Sequence, residues 1–103
     1  MDSKMLPTQI IYQYASLIDA KRFSDLHLIM WDDFSLTGSY ELKGLDVFTG
    51  AVEHNLSQYK NTMHFIGNVE GEWSGDTYTG NTYCTASHIF EEDGQLKKLD
   101  MGI

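Results

Sequence analysis

The chain has 103 residues, enough for one domain with a single modest core. Hydrophobic residues make up 42% and charged residues 21%, with one proline, which describes a globular chain and not a disordered one. Seven basic residues against fifteen acidic ones leave a net charge of −8, which excludes the basic footprint of nucleic-acid binding and disfavours an anionic membrane as partner.

The first segment expected is a helix from about Pro7 to Ala20, with Pro7 in its first turn and Ile10, Tyr14, Leu17 and Ile18 on one face. A short second helix follows from Phe23 to Met30. A strand is expected from Asp33 to Leu42, with Gly38 as a bulge or bend. Gly44 then opens a third helix, to about Tyr59, with Leu45, Phe48, Val52 and Leu56 on one side.

After Asn61 the period changes to two. Met63, Phe65, Val69 and Trp73 are expected on one face of a strand, with His64, Ile66 and Asn68 on the other. Ser74-Gly75-Asp76 reads as a hairpin turn. The return strand, Thr77 to Phe90, places Tyr78, Gly80, Thr82, Cys84, Ala86, His88 and Phe90 on a shared face. A second turn at Glu91 to Gly94 leads into a strand from Leu96 to Ile103. Helices first and hairpins afterwards imply an α+β fold, with three N-terminal helices packed on one face of a curved antiparallel sheet. Ile103 reads as the middle of a strand, so the closing strand or strands are expected to be missing from the chain or supplied by another copy.

The lone Cys84 forbids an internal disulfide and fits a reducing compartment. The opening MDSKMLPTQ lacks the pattern of a signal peptide, and no apolar stretch approaches the ~20 residues that span a bilayer. A soluble, cytoplasmic protein is expected.

Three polar residues stand in apolar surroundings: Asp19 after Leu17-Ile18, His64 in Met-His-Phe-Ile, and His88 in Ser-His-Ile-Phe. His64 lies twelve residues before Asp76 and His88 twelve after it, so both imidazoles are expected to face one pocket, with Cys84, Ala86 and Ser87 leaving space beside them. Taken singly, each has a blander explanation: a solvated helix-end aspartate, or a hydrogen-bonded core histidine. Together they have a chemical logic. A carboxylate beside an imidazole fixes its tautomer and raises its basicity, and such a pair removes protons next to carbonyls. A tyrosine among Tyr12, Tyr14, Tyr40, Tyr78 and Tyr83 would hold a developing oxyanion. His27 and His54 are expected to be solvated or packed. The chain has no phosphate loop, no Cys-x-x-Cys and no His-Glu-x-x-His, and a buried inert thiol is the expectation for Cys84.

The order Tyr14-x4-Asp19-Ala20-Lys21-Arg22-Phe23, Asp33-Phe34, Gly44, Thr62-Met63-His64-Phe65-Ile66-Gly67-Asn68, Gly75-Asp76 and Tyr83 to His88 resembles the SnoaL-like branch of the nuclear transport factor 2-like superfamily. Within it the likeness is to scytalone dehydratase and bile acid 7α-dehydratase. It runs from about Met5 to Ile103 and implies a cone-shaped, cystatin-like fold. The resemblance matches Asp19 to the family's first-helix aspartate and His64 to its partner histidine. It matches His88 to a second strand histidine, Tyr14 to a first-helix tyrosine, and Tyr40, loosely, to a strand tyrosine. Helical geometry alone puts Tyr12 on the face of Asp19 and Tyr14 about 140° away.

The resemblance implies a dehydratase or isomerase using an Asp19–His64 general base on a small apolar or cyclic hydroxy-carbonyl substrate, steroid-like in character, with no cofactor and no metal. The alternative is a non-catalytic small-ligand binding or structural member of the same fold. A homo-oligomer, dimer or trimer, is expected, joined through an exposed row of Phe65, Val69 and Trp73.

Overall fold

The computed structural model describes residues 6–102. Its elements are α1 (Pro7–Asp19), a 3-10 helix (Phe23–Leu28), β1 (Ser35–Thr37), β2 (Glu41–Lys43), α2 (Leu45–Leu56), β3 (Asn61–Ser74), β4 (Thr77–Glu92) and β5 (Gln95–Gly102). Strands β3, β4 and β5 form an antiparallel sheet in that order, and β1 and β2 form a separate small hairpin. Ile103, where the sequence suggested a strand interrupted midway, lies outside the described residues.

Two local readings change. The single strand expected from Asp33 to Leu42 is a hairpin, with Leu36 opposite Leu42 and the Gly38 N–H donating to the Tyr40 carbonyl across the turn at 3.0 Å. Gly38 is therefore a turn residue, because Gly38-Ser39 interrupts a strand too short to continue past it. The third helix ends at Leu56, three residues early, where the Ser57 hydroxyl donates to the His54 carbonyl at 2.7 Å.

The core gathers at the helical end. Ile18, Phe23, Leu26, Leu45 and Phe48 are buried together, and Tyr14, Leu17, Phe34, Leu36 and Leu42 pack around them. Phe34 meets Phe48 edge-on at 4.8 Å. Helix α1 alone among the helices lies broadly against the sheet, along β3.

The end of α1 fixes where Asp19 sits. Lys21 takes a left-handed conformation, φ 58°. The Arg22 N–H donates to the Leu17 carbonyl at 2.8 Å and the Lys21 N–H to the Ile18 carbonyl at 3.0 Å. That is the double bond of a Schellman stop, usually built on glycine. A lysine there costs about 1 kcal/mol. Its ammonium is tied to the Tyr59 carbonyl at 3.0 Å. The helix thus ends one residue after Asp19, whose side chain is turned toward β3.

The β3–β4 hairpin closes through Gly75, φ 61°, with Ser74 opposite Thr77. Between Ile66 and Val69 the register slips, so that Gly67 and Asn68 face a single residue, Tyr83. This bulge reverses which parity faces the helices. Before it, Thr62, His64 and Ile66 share the inner face with His88, Ala86 and Cys84. After it, Val69, Gly71 and Trp73 take that face with Thr82, Gly80 and Tyr78, and Trp73 packs edge-on against Tyr78 at 5.4 Å. The expected row of Phe65, Val69 and Trp73 is therefore not one surface: Phe65 lies with Met63 on the outer face, and Val69 and Trp73 on the inner one.

Candidate functional site

Asp19 and His64 meet where the end of α1 crosses β3. His64 Nδ1 lies 2.7 Å from Asp19 Oδ1, and the His64 backbone N–H donates to Asp19 Oδ2 at 2.8 Å. The Thr62 hydroxyl donates to Asp19 Oδ1 at 3.0 Å. Three donors therefore converge on one carboxylate, and a carboxylate beside Nδ1 favours the tautomer with the proton on Nδ1. In the neutral ring of that tautomer, Nε2 is the nitrogen without a proton.

His64 forms part of the wall of a cavity of about 620 Å³ between the helices and the sheet. Ile10, Ile11 and Tyr14 of α1 line one side, Ile66, Thr82 and Cys84 of the sheet another, and Phe34, Leu36 and Phe48 the floor. Asp33 and Trp31 stand at the rim, with Trp31 63% exposed. Its described lining is mostly apolar, which suits an apolar ligand body, with Asp33, His64, Tyr14 and Thr82 as polar groups.

Tyr14 brings a phenol into the same cavity. Burial first, then the neighbouring Cys84 sulfur, push its hydroxyl above the usual tyrosine range. It therefore remains a hydrogen-bond donor well into alkaline pH. Burial and the nearby Asp19 carboxylate likewise raise the Cys84 thiol, which keeps it protonated and poorly nucleophilic. Tyr12, which helical geometry placed on the Asp19 face, is 52% exposed and does not line the cavity. Asp19 itself sits in the last turn of α1 and reaches to β3.

His88 is not at the cavity. It is 6% exposed, its Nδ1–H donates to the Leu99 carbonyl on β5 at 3.2 Å, and its ring lies 4.7 Å from that of Tyr59. The expectation that it would oppose His64 fails on register. Ala86 stands opposite His64 and Thr62 opposite His88, because the two-residue turn and the bulge together move the pairing by two positions. The two imidazoles do share a face, but only His64 reaches the cavity. Tyr40 is also elsewhere, 55% exposed at the tip of the β1–β2 hairpin.

Sequence reasoning missed Thr62 as a partner of Asp19, and Asp33, Trp31 and Thr82 as wall residues. Thr62 had a signal: it precedes His64 by two on a strand and so shares its face. Trp31 and Asp33 had none, because the loop between the 3-10 helix and β1 has no periodicity. Among the described residues no cluster of three or more metal-ligating side chains occurs, and no helix is long and apolar enough to cross a membrane.

The comparisons with known proteins agree with this architecture. No curated protein matches the chain by sequence. Among solved structures, a protein of Novosphingobium aromaticivorans provisionally named scytalone dehydratase superposes with a TM-score of 0.71 at 14% identity, over 93% of this chain and 80% of that one. An NTF2-like protein with a cystatin-like fold, also from Novosphingobium aromaticivorans, gives 0.60 at 20% identity, over 87% of this chain and 60% of that one. A hexachlorocyclohexane dehydrochlorinase, LinA type 2, gives 0.54 at 16% identity, over 91% and 83%. At these identities the likeness establishes the fold, which is the cystatin-like α+β fold of NTF2-like proteins. A family model described as the SnoaL-like domain matches residues 8–103, and the chain belongs to that family.

Proposed function

We propose that the protein is a cofactor-independent lyase or isomerase that takes a proton from a carbon next to a carbonyl in a small cyclic hydroxy-ketone. The observation that carries this reading is the 2.7 Å contact between His64 Nδ1 and Asp19 Oδ1, with the same imidazole in the wall of an apolar cavity. Nε2 is the base. Asp19 holds the tautomer and stabilises the imidazolium that forms. The Tyr14 hydroxyl donates to the carbonyl oxygen as negative charge builds there.

In the dehydration, Nε2 removes the α-proton, the C–H electron pair becomes the C=C bond, and the β C–O bond breaks. The proton held on Nε2 passes to the departing oxygen, so water leaves and the imidazole is regenerated. No oxidant or reductant is required. Two of the structural relatives carry names of elimination enzymes, a dehydratase and a dehydrochlorinase, and elimination needs a base placed to take a proton from carbon. In isomerisation the proton returns to another carbon of the same ligand.

The test is a panel of cyclic β-hydroxy-ketones, followed by the ultraviolet absorbance of the conjugated enone. Turnover by the wild type that falls about 10²–10⁴-fold in both His64→Ala and Asp19→Asn supports the reading. Turnover that survives both within about threefold ends the Asp19–His64 reading, and a wild type that turns over no member of the panel leaves the non-catalytic ligand-binding alternative.

A further inference from the structure

Thr62 precedes His64 by two residues on β3, so their side chains emerge on one face and straddle Met63. The residue is 7% exposed, and its hydroxyl donates to Asp19 Oδ1 at 3.0 Å. That oxygen is the one that meets His64 Nδ1. Asp19 Oδ2 is taken by the His64 backbone N–H. Without Thr62, both remaining anchors of the carboxylate belong to His64. Its plane would then be free to tilt with the imidazole it is meant to orient.

We propose that Thr62 is a positioning residue, whose hydroxyl fixes the Asp19 carboxylate so that the proton of His64 stays on Nδ1 and Nε2 stays bare toward the cavity. Hydrogen bonds to a charged acceptor are the stronger kind, and a buried hydroxyl aimed at a carboxylate is a specific use of the group. A residue wanted only for strand packing here needs β-branching, which valine supplies equally well. The inference rests on the proposed function for the use made of Nε2. It does not rest on it for the tautomer.

The experiment is therefore independent of any substrate. The full chain is labelled with ¹⁵N-histidine, and the His64 ring nitrogens are observed in the wild type, Thr62→Val, Thr62→Ser and Asp19→Asn. Wild type and Thr62→Ser should show one tautomer, with a slowly exchanging Nδ1 proton. Thr62→Val should show mixed tautomers and Nδ1 proton exchange faster by roughly tenfold or more, the loss expected of one hydrogen bond to a charged group. A Thr62→Val spectrum identical to wild type, with Asp19→Asn altered, overturns the role of Thr62 and leaves the Asp19–His64 pair standing. If Asp19→Asn is also unaltered, the pair itself fails, and the positioning role with it. Should circular dichroism show Thr62→Val unfolded, Thr62→Cys takes its place. This variant keeps the volume with a much weaker donor, and its tautomer ratio supports or overturns the role by the same criteria.

Discussion

Two histidines on one face of one sheet have opposite surroundings. His64 has a carboxylate on Nδ1 and a cavity in front of its ring. His88 has a backbone carbonyl on Nδ1 and an aromatic ring against it. The difference arises from what covers each. Helix α1 lies over β3 and leaves space beside Ile66 and Cys84, whereas Tyr59, just after α2, fills the space above His88 and joins Phe90 at 6.3 Å. An imidazole backed by a charge and facing a void is equipped for proton transfer. An imidazole enclosed by neutral partners holds strands together.

The largest expected effect follows directly. His64→Ala should lower turnover of a hydroxy-ketone by about 10²–10⁴-fold with little change in the thermal midpoint. The Asp19→Asn, His64→Ala double variant should be barely worse than either single one, because the two act as a unit. His88→Ala should do the reverse: destabilise by roughly 2–4 kcal/mol, through a lost buried ring and strand-to-strand hydrogen bond, while the folded fraction keeps its turnover. Equal losses of activity at both positions would erase the contrast.

Tyr14→Phe sharpens the same contrast from the other wall of the cavity. It removes the phenol donor and should cost roughly 10²-fold in turnover, with a smaller change in ligand binding. Since burial raises the Tyr14 hydroxyl, any alkaline fall of activity caused by its ionisation should lie above the ordinary tyrosine value of about 10. A fall near pH 8 that persists in Tyr14→Phe would exclude the phenol as its cause.

Much of this was legible beforehand, for identifiable reasons. The helical end could be read because Ile18, Leu45 and Phe48 fall at helical spacing, and the hairpins because Gly75 and Asp93-Gly94 supply the positive φ that tight turns need. The Asp19–His64 pair was legible because each is polar in an apolar run. The fate of His88 was not, because it depends on a register fixed by a bulge at Gly67-Asn68, and a single extra residue leaves no trace in alternation until after it has occurred. The position of Tyr40 depended on whether a ten-residue stretch was one strand or two, which Gly38 alone does not decide. Thr62 was overlooked because a strand threonine is ordinary unless something specific accepts its hydroxyl.

Beyond both histidines the sheet carries a backbone constraint that gives a third, intermediate effect. Gly71 and Gly80 stand opposite each other. A methyl group on Gly80 would run into the Glu70 carbonyl oxygen, and one on Gly71 would meet the Tyr78 hydroxyl at 2.5 Å and the Thr79 carbonyl oxygen at 2.6 Å. Gly80→Ala must move backbone and should destabilise by about 1–3 kcal/mol. Gly71→Ala meets backbone too and must also displace Tyr78 from Trp73, so it should cost a similar amount. Both should leave His64 chemistry unchanged in the folded fraction, since the bulge separates them from it. Urea unfolding of the two variants measures these costs, and a loss under about 0.5 kcal/mol at either position would contradict the geometry.

The smallest effect is expected on the outer face, behind His88. There the Ser87 hydroxyl donates to Asp100 Oδ1 at 2.7 Å, linking β4 to β5. This hydrogen bond first, and with it Lys98, whose ammonium stands 3.3 Å from Asp100, and His88, hold the carboxyl below the usual range against the opposing effect of desolvation. A depressed carboxyl favours the folded state once it is ionised in both states, above the ordinary value of about 3.9. The contribution is lost as the pH falls through the lower, folded value, where both states are protonated. Asp100 is solvent-exposed, so salt and water weaken the link. Ser87→Ala should therefore lower the thermal midpoint slightly and by a constant amount from about pH 8 to pH 5, and the gap to wild type should shrink below about pH 4. Raising the salt concentration should leave most of the gap in place, because its first cause is a hydrogen bond, and should remove the part due to Lys98. A gap that widens on acidification would mean that Ser87 acts through packing and not through the Asp100 carboxylate.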